Sequence, residues 1–426
     1  MSLPRYKEYR NTGLDWLPTV PFHWEVCALK RVANLKSGET ITSEQISETG
    51  KFPVYGGNGL RGFTSAFTHE GRFALVGRQG ALCGNVNYSS GQFWASEHAV
   101  VATPIKPVEM TWLGELLRAM DLNQYSVSAA QPGLSVELIS NIGVPYPPLS
   151  EQIRIALFLD RETAKIDTLI AEQEKLIVLV AEKRQAAICH AVTKGLNPNA
   201  PMKDSGVAWL GAVPAHWEII RLGGLFREVN EPGNESLPML SVSIHDGVSD
   251  KELDENDMDR KVSRSDDRSK YKAVAPGDLT YNMMRAWQGG FGSVVVNGMV
   301  SPAYVVARPK KDFLTSHVEY LLRTPSAVAE MKRHSRGITD FRLRLYWEEF
   351  KTIQVALPAK AEQYEIAKSI ERETRKLDSL KAEAERAIPL LKERRSALIA
   401  AAVTGQIDVR GFMTQTAAES PEPIAA

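Results

Sequence analysis

Residues 13–25 read GLDWLPTVPFHWE, and residues 206–218 read GVAWLGAVPAHWE. Both carry the skeleton G-x-x-W-L-x-x-V-P-x-H-W-E, at an offset of 193 residues. Two tryptophans, a histidine and a proline in fixed register do not recur by accident, so the chain is written twice. A second match lies downstream. Residues 151–193 begin EQIRIALFLDRETAKID and end AAICHAVT; residues 362–404 begin EQYEIAKSIERETRKLD and end SALIAAAVT. This match is gapless at an offset of 211, and roughly half of its positions are identical. The segment between the two matches is therefore 18 residues longer in the second copy. Each copy has an opening motif, a variable body and a long tail. A period of roughly 200 residues is too long for a solenoid and means duplicated domains related by an approximate two-fold.

The tails read as helices. In the first, apolar residues recur at Ile155, Leu159, Ile166, Leu169, Ile170, Leu176, Ile177, Val180 and Ile188, spacings that make a helical stripe. Gly195, Asn197 and Pro198 are stop signals, and Gly405 follows the second tail. Pro389 interrupts that second tail, which predicts a kink or a break. A helix of about 43 residues is about 65 Å long and needs a partner along its length. The sister tail is the obvious one, as an antiparallel coiled pair; the alternative is that each tail breaks into two helices packed on its own domain.

The bodies read as β-rich with irregular loops. Short strand-like runs occur at Phe73–Val76 and Ala99–Ala102, and helix patterns at Met110–Met120 and Ser316–His334. The bodies share little sequence, but GRFALVGRQGALCGNV (71–86) resembles GDLTYNMMRAWQGGFGSV (277–294), and WASEHAVVATP (94–104) resembles MVSPAYVVARP (299–309). One fold thus carries two surfaces. The expected fold class is α+β: two tandem β-rich domains related by a pseudo-two-fold, each followed by a long helix, the helices pairing antiparallel. The expected boundaries are a first domain over 1–148, a helical spacer over 149–196, a second domain over 197–357, a second spacer over 358–408 and a disordered tail over 409–426.

Lys and Arg number 51, as do Asp and Glu, so the net charge is zero. A nucleic-acid binder of this composition must segregate its charge. Lys332–Arg344 does so, with Lys332, Arg333, Arg336, Arg342 and Arg344 against Asp340. Asp250–Asp259 is the reverse, six acids against Lys251. No apolar run approaches a membrane span, and residues 1–13 lack the apolar core of a secretory signal, so the cytoplasm is expected. Cys27, Cys83 and Cys189 stand far apart and read as small buried residues, not metal ligands.

The chemistry-bearing motifs are missing. The sequence has no phosphate loop, no H-E-x-x-H and no G-x-S-x-G. Gly57, Gly59 and Gly62 spell G-x-G-x-x-G, but GFTSAFTHEGR behind them has no helical stripe, and a dinucleotide site needs that helix.

With the W-L-x-x-V-P-x-H-W-E openings (Trp16–Glu25 and Trp209–Glu218), P-P-L-S-E-Q at Pro147–Gln152 and the tandem layout, the chain resembles the specificity subunits of type I restriction–modification enzymes, the HsdS family. PVYGGNGLRG (53–62), NMMRAWQGGFG (282–292), SPAYVV (301–306) and RLRLYWEEF (342–350) are similar to the family as well. The second copy departs from P-P-L-x-E-Q, keeping only Glu362 and Gln363 of it. The resemblance spans roughly residues 12–410.

It implies that each body reads one half of a bipartite, asymmetric double-stranded DNA target. The paired helices would set the distance between the halves and dock two methyltransferase subunits, with two restriction–translocase subunits joining the complex. The chain would be no enzyme and hold no cofactor; S-adenosylmethionine, ATP and Mg would belong to the partners.

Base edges are read by Arg, Asn and Gln on loops. The candidates are Asn58, Arg61, Arg78, Gln79 and Gln131 in the first copy, and Asn282, Arg285 and Gln288 with Trp287 beside them in the second. Arg336, Arg342 and Arg344 are expected at phosphates. Trp16, Trp24, Trp209 and Trp217 are expected to pack where domain meets helix, with His23 and His216 hydrogen-bonded there. Arg161, Glu162, Arg372 and Glu373 repeat in both tails and suggest a common partner. Two alternatives remain: the recognition subunit of a related type IIB-like enzyme that cuts on both sides of its site, and a helical scaffold without DNA affinity.

Overall fold

The computed structural model describes residues 3–80, 82–126, 133–234, 236–243, 247–249, 270–337 and 343–412. The chain forms two compact units, one from residues 1–174 with 385–426 and the other from residues 175–384. The first unit is therefore discontinuous in sequence. Each unit holds the start of one long helix and the end of the other.

Those helices are Leu149–Lys194 and Lys360–Val403. Of the apolar stripe read from the sequence, Ile155, Leu159, Ile166, Val180 and Ile188 are buried, Ile170, Leu176 and Ile177 are half-buried and Leu169 is exposed. Val192 is buried as well, and Ile366, Ile370, Leu377, Ile399 and Val403 of the second helix occupy the positions matching Ile155, Leu159, Ile166, Ile188 and Val192. Within the first unit Arg395 grips Asp167 with two hydrogen bonds, Nε to Oδ1 at 2.9 Å and Nη2 to Oδ2 at 3.3 Å. Within the second, Arg184 Nε lies 3.1 Å from Asp378 Oδ1, an ion pair without hydrogen-bond alignment. From Asp167 to Arg184 the chain advances 17 residues, and from Arg395 to Asp378 it retreats 17. That is antiparallel pairing, and the two ion pairs are one contact written twice, since Asp378 is the repeat of Asp167 and Arg395 of Arg184. The expected break at Pro389 does not occur: the second helix is continuous through it. Pro389 is exposed, on the solvent side of the helix, where the loss of one helical N–H donor is tolerated.

The body of the first unit is built on an antiparallel sheet in the order Ala33–Ser37, Ala99–Pro104, Phe73–Gly77, Val86–Ser89. Both faces of its central strands are covered. Ala74, Val76, Val100 and Ala102 point into the main core with Trp24 and Trp112, while Leu75 and Val101 join Phe93 and Ala95 in a smaller one. Phe93 and Ala95 come from a second sheet, Gly59–Thr64, Phe52–Gly56, Gln92–Ala95, His69–Glu70, in which Trp94 pairs parallel with Val54. Helix Met110–Ala119 closes the main core with Trp112, Leu113, Leu116 and Leu117, and the Glu109 carboxylate accepts from the Trp112 backbone N–H at its start.

The second unit repeats the sheet order with Phe226–Val229, Tyr304–Pro309, Leu279–Asn282 and Phe291–Ser293. The helix expected over 316–334 is two helices, Thr315–Leu322 and Pro325–His334. Pro325 cannot continue the first, and the Thr324 side chain caps the second by accepting from Ala327 N–H. The described part of the expected tail is packed: Val409 is buried, and Phe412 meets Phe158 edge-on at 4.7 Å between ring centroids. Residues 413–426 lie outside the described residues. Cys27 and Cys83 are buried as expected, whereas Cys189 is half-buried.

Candidate nucleic-acid interface

The opening motif and the E-Q pair turn out to be one junction. In the first unit the Glu151 carboxylate accepts from Trp24 Nε1 at 2.9 Å and Tyr6 Oη at 3.0 Å, and lies 2.7 Å from His23 Nε2. Burial, helped by Glu151, pushes the Tyr6 phenol far above its ordinary value. In the second unit Glu362 lies 2.7 Å from His216 Nε2 and accepts from Trp217 Nε1 at 3.2 Å. The adjacent glutamines also repeat. Gln152 Oε1 accepts from the Glu109 N–H and its amide donates to Pro147 O; Gln363 does the same with Leu314 and Pro358.

Trp24 and Trp217 are buried and Trp16 and Trp209 half-buried, all four in or against the cores. Trp16 Nε1 donates to Gly143 O at 3.0 Å. The glycine ending the opposite helix completes each junction. A side chain at Gly405 would meet Pro21 at 2.5 Å and Trp24 at 3.0 Å, and one at Gly195 would meet Glu362 at 3.4 Å and Trp217 at 3.5 Å. The motif thus ties each body to the start of its own helix and the end of its sister's, a structural role.

The loops beyond the sheets hold the candidate readers. In the first unit the turn between strands Phe52–Gly56 and Gly59–Thr64 packs on the loop after Phe73–Gly77; a Cβ on Gly77 would strike the Gly57 carbonyl. This brings Asn58, Arg61, Arg78 and Gln79 to one loop cluster. Asn58 Oδ1 accepts from Asn85 Nδ2 at 2.7 Å. Gln79 forms a backbone bridge with Gly133. Arg78 is half-buried and donates to Ser37 Oγ at 3.2 Å, so its guanidinium is partly committed to the fold. Arg61 is exposed, lies along Gly56, and has no ion pair among the described residues. Gln131 lies outside the described residues. Gly57, Gly59 and Gly62 sit on this strand–turn–strand, with no helix behind them, and do not form a dinucleotide site.

In the second unit the loop after Leu279–Asn282 carries Asn282, Arg285, Trp287 and Gln288. Arg285 Nη1 donates to Gln288 Oε1 at 3.0 Å, and Trp287 Nε1 to Met284 O at 2.9 Å. The Asn282 side chain accepts from Met284 N–H at 3.0 Å. The basic segment is its neighbour. Arg336 and Arg344 exchange both backbone hydrogen bonds at 2.9 Å, Leu345 N–H donates to Met283 O, and Lys332 Nζ lies 5.9 Å from the Trp287 ring centroid. Arg336 also pairs with Glu349 at 2.6 Å. Arg342 lies outside the described residues. The first unit repeats this join, with Leu134 N–H donating to Arg78 O at 2.9 Å. Asn85, Ser37 and Glu349 were not singled out from the sequence. Asn85 was legible, six residues beyond Gln79 in the same loop; Glu349 becomes a partner only through the long-range fold.

The tail charges fall differently in the two copies. Arg161 Nε lies 3.8 Å from Glu162 and its guanidinium stacks 5.5 Å from the Phe412 ring centroid. Arg372 Nε lies 3.7 Å from Glu373 and is exposed. Among the described residues there is no cluster of three or more His, Cys, Asp or Glu suited to a metal. Among the described residues no helix is long and apolar enough to cross a membrane.

Residues 21–177 match the family model described as the type I restriction modification DNA specificity domain. The chain is 41% identical over 145 residues to the specificity subunit of the type I restriction enzyme EcoprrI from Escherichia coli, covering 33% of this chain and 35% of that one. It is 23% identical over 450 residues to the EcoBI specificity subunit of the same species, covering 98% of this chain and 92% of that one. Over these stretches the chain is similar to type I specificity subunits. Over the aligned stretch it spans about a third of the length of the EcoprrI subunit. The specificity-subunit fold is also seen in the HsdS subunit of Thermoanaerobacter tengcongensis, with a TM-score of 0.53 at 15% identity, covering 91% of this chain and 98% of that one. A chain from a solved type I restriction–modification assembly gives a TM-score of 0.61 at 14% identity, with coverage of 90% and 98%.

Proposed function

We propose that this chain is the DNA-sequence specificity subunit of a type I restriction–modification system. It recognises a bipartite, asymmetric double-stranded target and scaffolds two methyltransferase and two restriction–translocase subunits in the cytoplasm. It does no chemistry itself; S-adenosylmethionine, ATP and Mg are the partners' cofactors. The duplication carries this reading. One sheet order and one junction, used twice, hold two loop clusters whose side chains differ, as a module needs when each copy reads its own half-site.

Asn58, Arg61, Arg78, Gln79 and Gln131 serve one half-site, and Asn282, Arg285, Trp287 and Gln288 the other. Arg and Asn or Gln on adjacent loops suit the guanine and adenine edges of the major groove. Arg336, Arg342 and Arg344 meet phosphates, positioning the second body without reading sequence. The bodies, 1–148 and 197–357, are the recognition domains, and the segments 149–196 and 358–408 are spacers whose length fixes the gap between half-sites. Half-sites about one helical turn apart, ~34–36 Å, present the same groove to the same side.

Docking of a partner present twice is supported by exposed apolar residues at repeated positions of the helices: Ile153 and Tyr364, Leu169 and Leu380, Leu179 and Leu390. Arg161, Glu162, Arg372 and Glu373 lie on the same helices. The test is methylation mapping in a host carrying the system, with a mobility shift of the chain alone and with its methyltransferase. The expected result is two unequal half-sites with a fixed gap. A short continuous palindrome, or no shift under either condition, overturns the reading.

A further inference from the structure

One place on the helices is filled in the first unit and open in the second. In the first unit Phe412 seats its ring on Phe158 and under Arg161. The repeat places Ser369 where Phe158 stands and Arg372 where Arg161 stands. There the second unit has an open groove of about 300 Å³, lined by Ile188, His190, Ala191, Ser369, Ile370 and Glu373 among others. A cavity of about 150 Å³ is enough to hold benzene, so an aromatic side chain fits. Among the described residues the second unit brings none of its own. Phe412 stands seven residues beyond the helix-ending Gly405, and the residue seven beyond Gly195 is Met202, which is exposed and paired in a hairpin with Pro214.

We infer that this groove seats an aromatic side chain of a partner polypeptide, beside a basic residue of that partner, as Phe412 fills the counterpart from within the chain. The inference rests on the reading of the long helices as a docking surface for partner chains. Charge selects the occupant. In the first unit Arg154 donates to the carbonyl of Arg410, two residues before the seated ring, at 3.4 Å. In the second unit the matching residue is Glu365, exposed and without an ion pair among the described residues. A donor has become an acceptor, so the incoming segment must present a cation where the chain's own tail presents a carbonyl. Arg372, exposed and 3.7 Å from the lining residue Glu373, is the repeat of Arg161 and would cover the ring as Arg161 covers Phe412, a cation–π contact that gains strength when water is excluded.

The experiment replaces Leu196, the exposed lining residue at the edge of the groove, with the photo-crosslinking amino acid p-benzoylphenylalanine in the full chain and adds the recombinant methyltransferase subunit of the same system. The expected product is a crosslink to an aromatic residue of the methyltransferase with a Lys or Arg next to it. Independently, Ser369→Trp fills the groove and weakens methyltransferase binding about thirtyfold, the loss of one aromatic anchor, with unfolding unchanged. Glu365→Arg weakens it in the same direction. Crosslinks confined to this chain or to a second copy of it, no crosslink in a complex that forms, or unchanged affinity of Ser369→Trp overturn the inference and leave the docking reading standing. If the unmodified chain binds no methyltransferase, the docking reading itself falls and the inference with it.

Discussion

At the residue scale each unit is a control for the other. Gly405 and Gly195 both end a helix with positive φ, +76° and +78°. Alanine at either pays the left-handed cost of about 1–2 kcal/mol, but only at Gly405 would it also strike a proline ring. Gly405→Ala should therefore destabilise the first unit by about 2–4 kcal/mol, and Gly195→Ala the second by about 1 kcal/mol, read from denaturant unfolding of each unit. Equal effects would refute the helix-end contact.

His317 behaves differently. It is fully buried, neither ring nitrogen has a hydrogen-bond partner among the described residues, and burial pushes it down to about 4 from 6.5. Above pH 6.5 it is neutral in both the folded and the unfolded chain and pH has no leverage through it. Below 6.5 the unfolded chain takes up a proton that the folded one refuses until about pH 4, so stability falls through that window, by about 3 kcal/mol in all. His317→Phe should flatten the acid limb of the second unit's stability between those pH values; an unchanged limb would show that His317 does not carry it.

For the candidate readers the expected outcomes separate by role. Arg285→Ala should cost about 1–3 kcal/mol of specific DNA binding and relax one base position. Arg344→Ala should weaken binding evenly and reduce the salt slope by about 1. Titrations at several salt concentrations distinguish the two.

At the element scale, legibility followed locality. The long helices were readable because their buried stripe repeats at helical spacing over 40 residues in duplicate, and the ion pairs Asp167–Arg395 and Arg184–Asp378 follow from antiparallel pairing of two copies of one sequence. The strands Phe73–Gly77 and Ala99–Pro104 were readable as short apolar runs; their sheet order was not, since it depends on partners distant in sequence. The junction was half legible. The Trp and His of the opening motif and the Glu of the E-Q pair were each conspicuous, but that they meet required the fold. Phe412 gave no signal, lying in a stretch that reads as tail. Pro389 was read as a kink or break because the local rule is strong, yet a long packed helix holds it. Replacing Pro389 with Ala restores the missing N–H, so it should stabilise by about 1–3 kcal/mol; a loss of stability would mean that a proline-induced bend is needed for packing.

At the scale of the whole molecule, zero net charge is compatible with the proposed DNA binding because charge is sorted by place. Arg336, Arg344 and Lys332 gather beside the Arg285 loop, so long-range attraction to a duplex acts locally even though the total vanishes. The bodies can diverge in their loops while the sheet order and the Trp–Glu junction stay fixed. Exchanging residues 71–86 for the corresponding loop of a relative should therefore alter one half-site and leave the other intact, as methylation mapping would reveal; a change in both would refute independent reading.

The discontinuity of the first unit also bears on how the protein is made. Trp24 and its neighbours are complete only when Ile399, Val403 and Val409 arrive, and the ribosome must synthesise residues 175–384 before any of these emerges. At about 5–20 residues per second that takes roughly 10–40 s. Throughout that interval the nascent chain displays a tryptophan-lined apolar patch awaiting its cover, a natural binding place for a holdase and the point at which a stalled or truncated product would begin to aggregate.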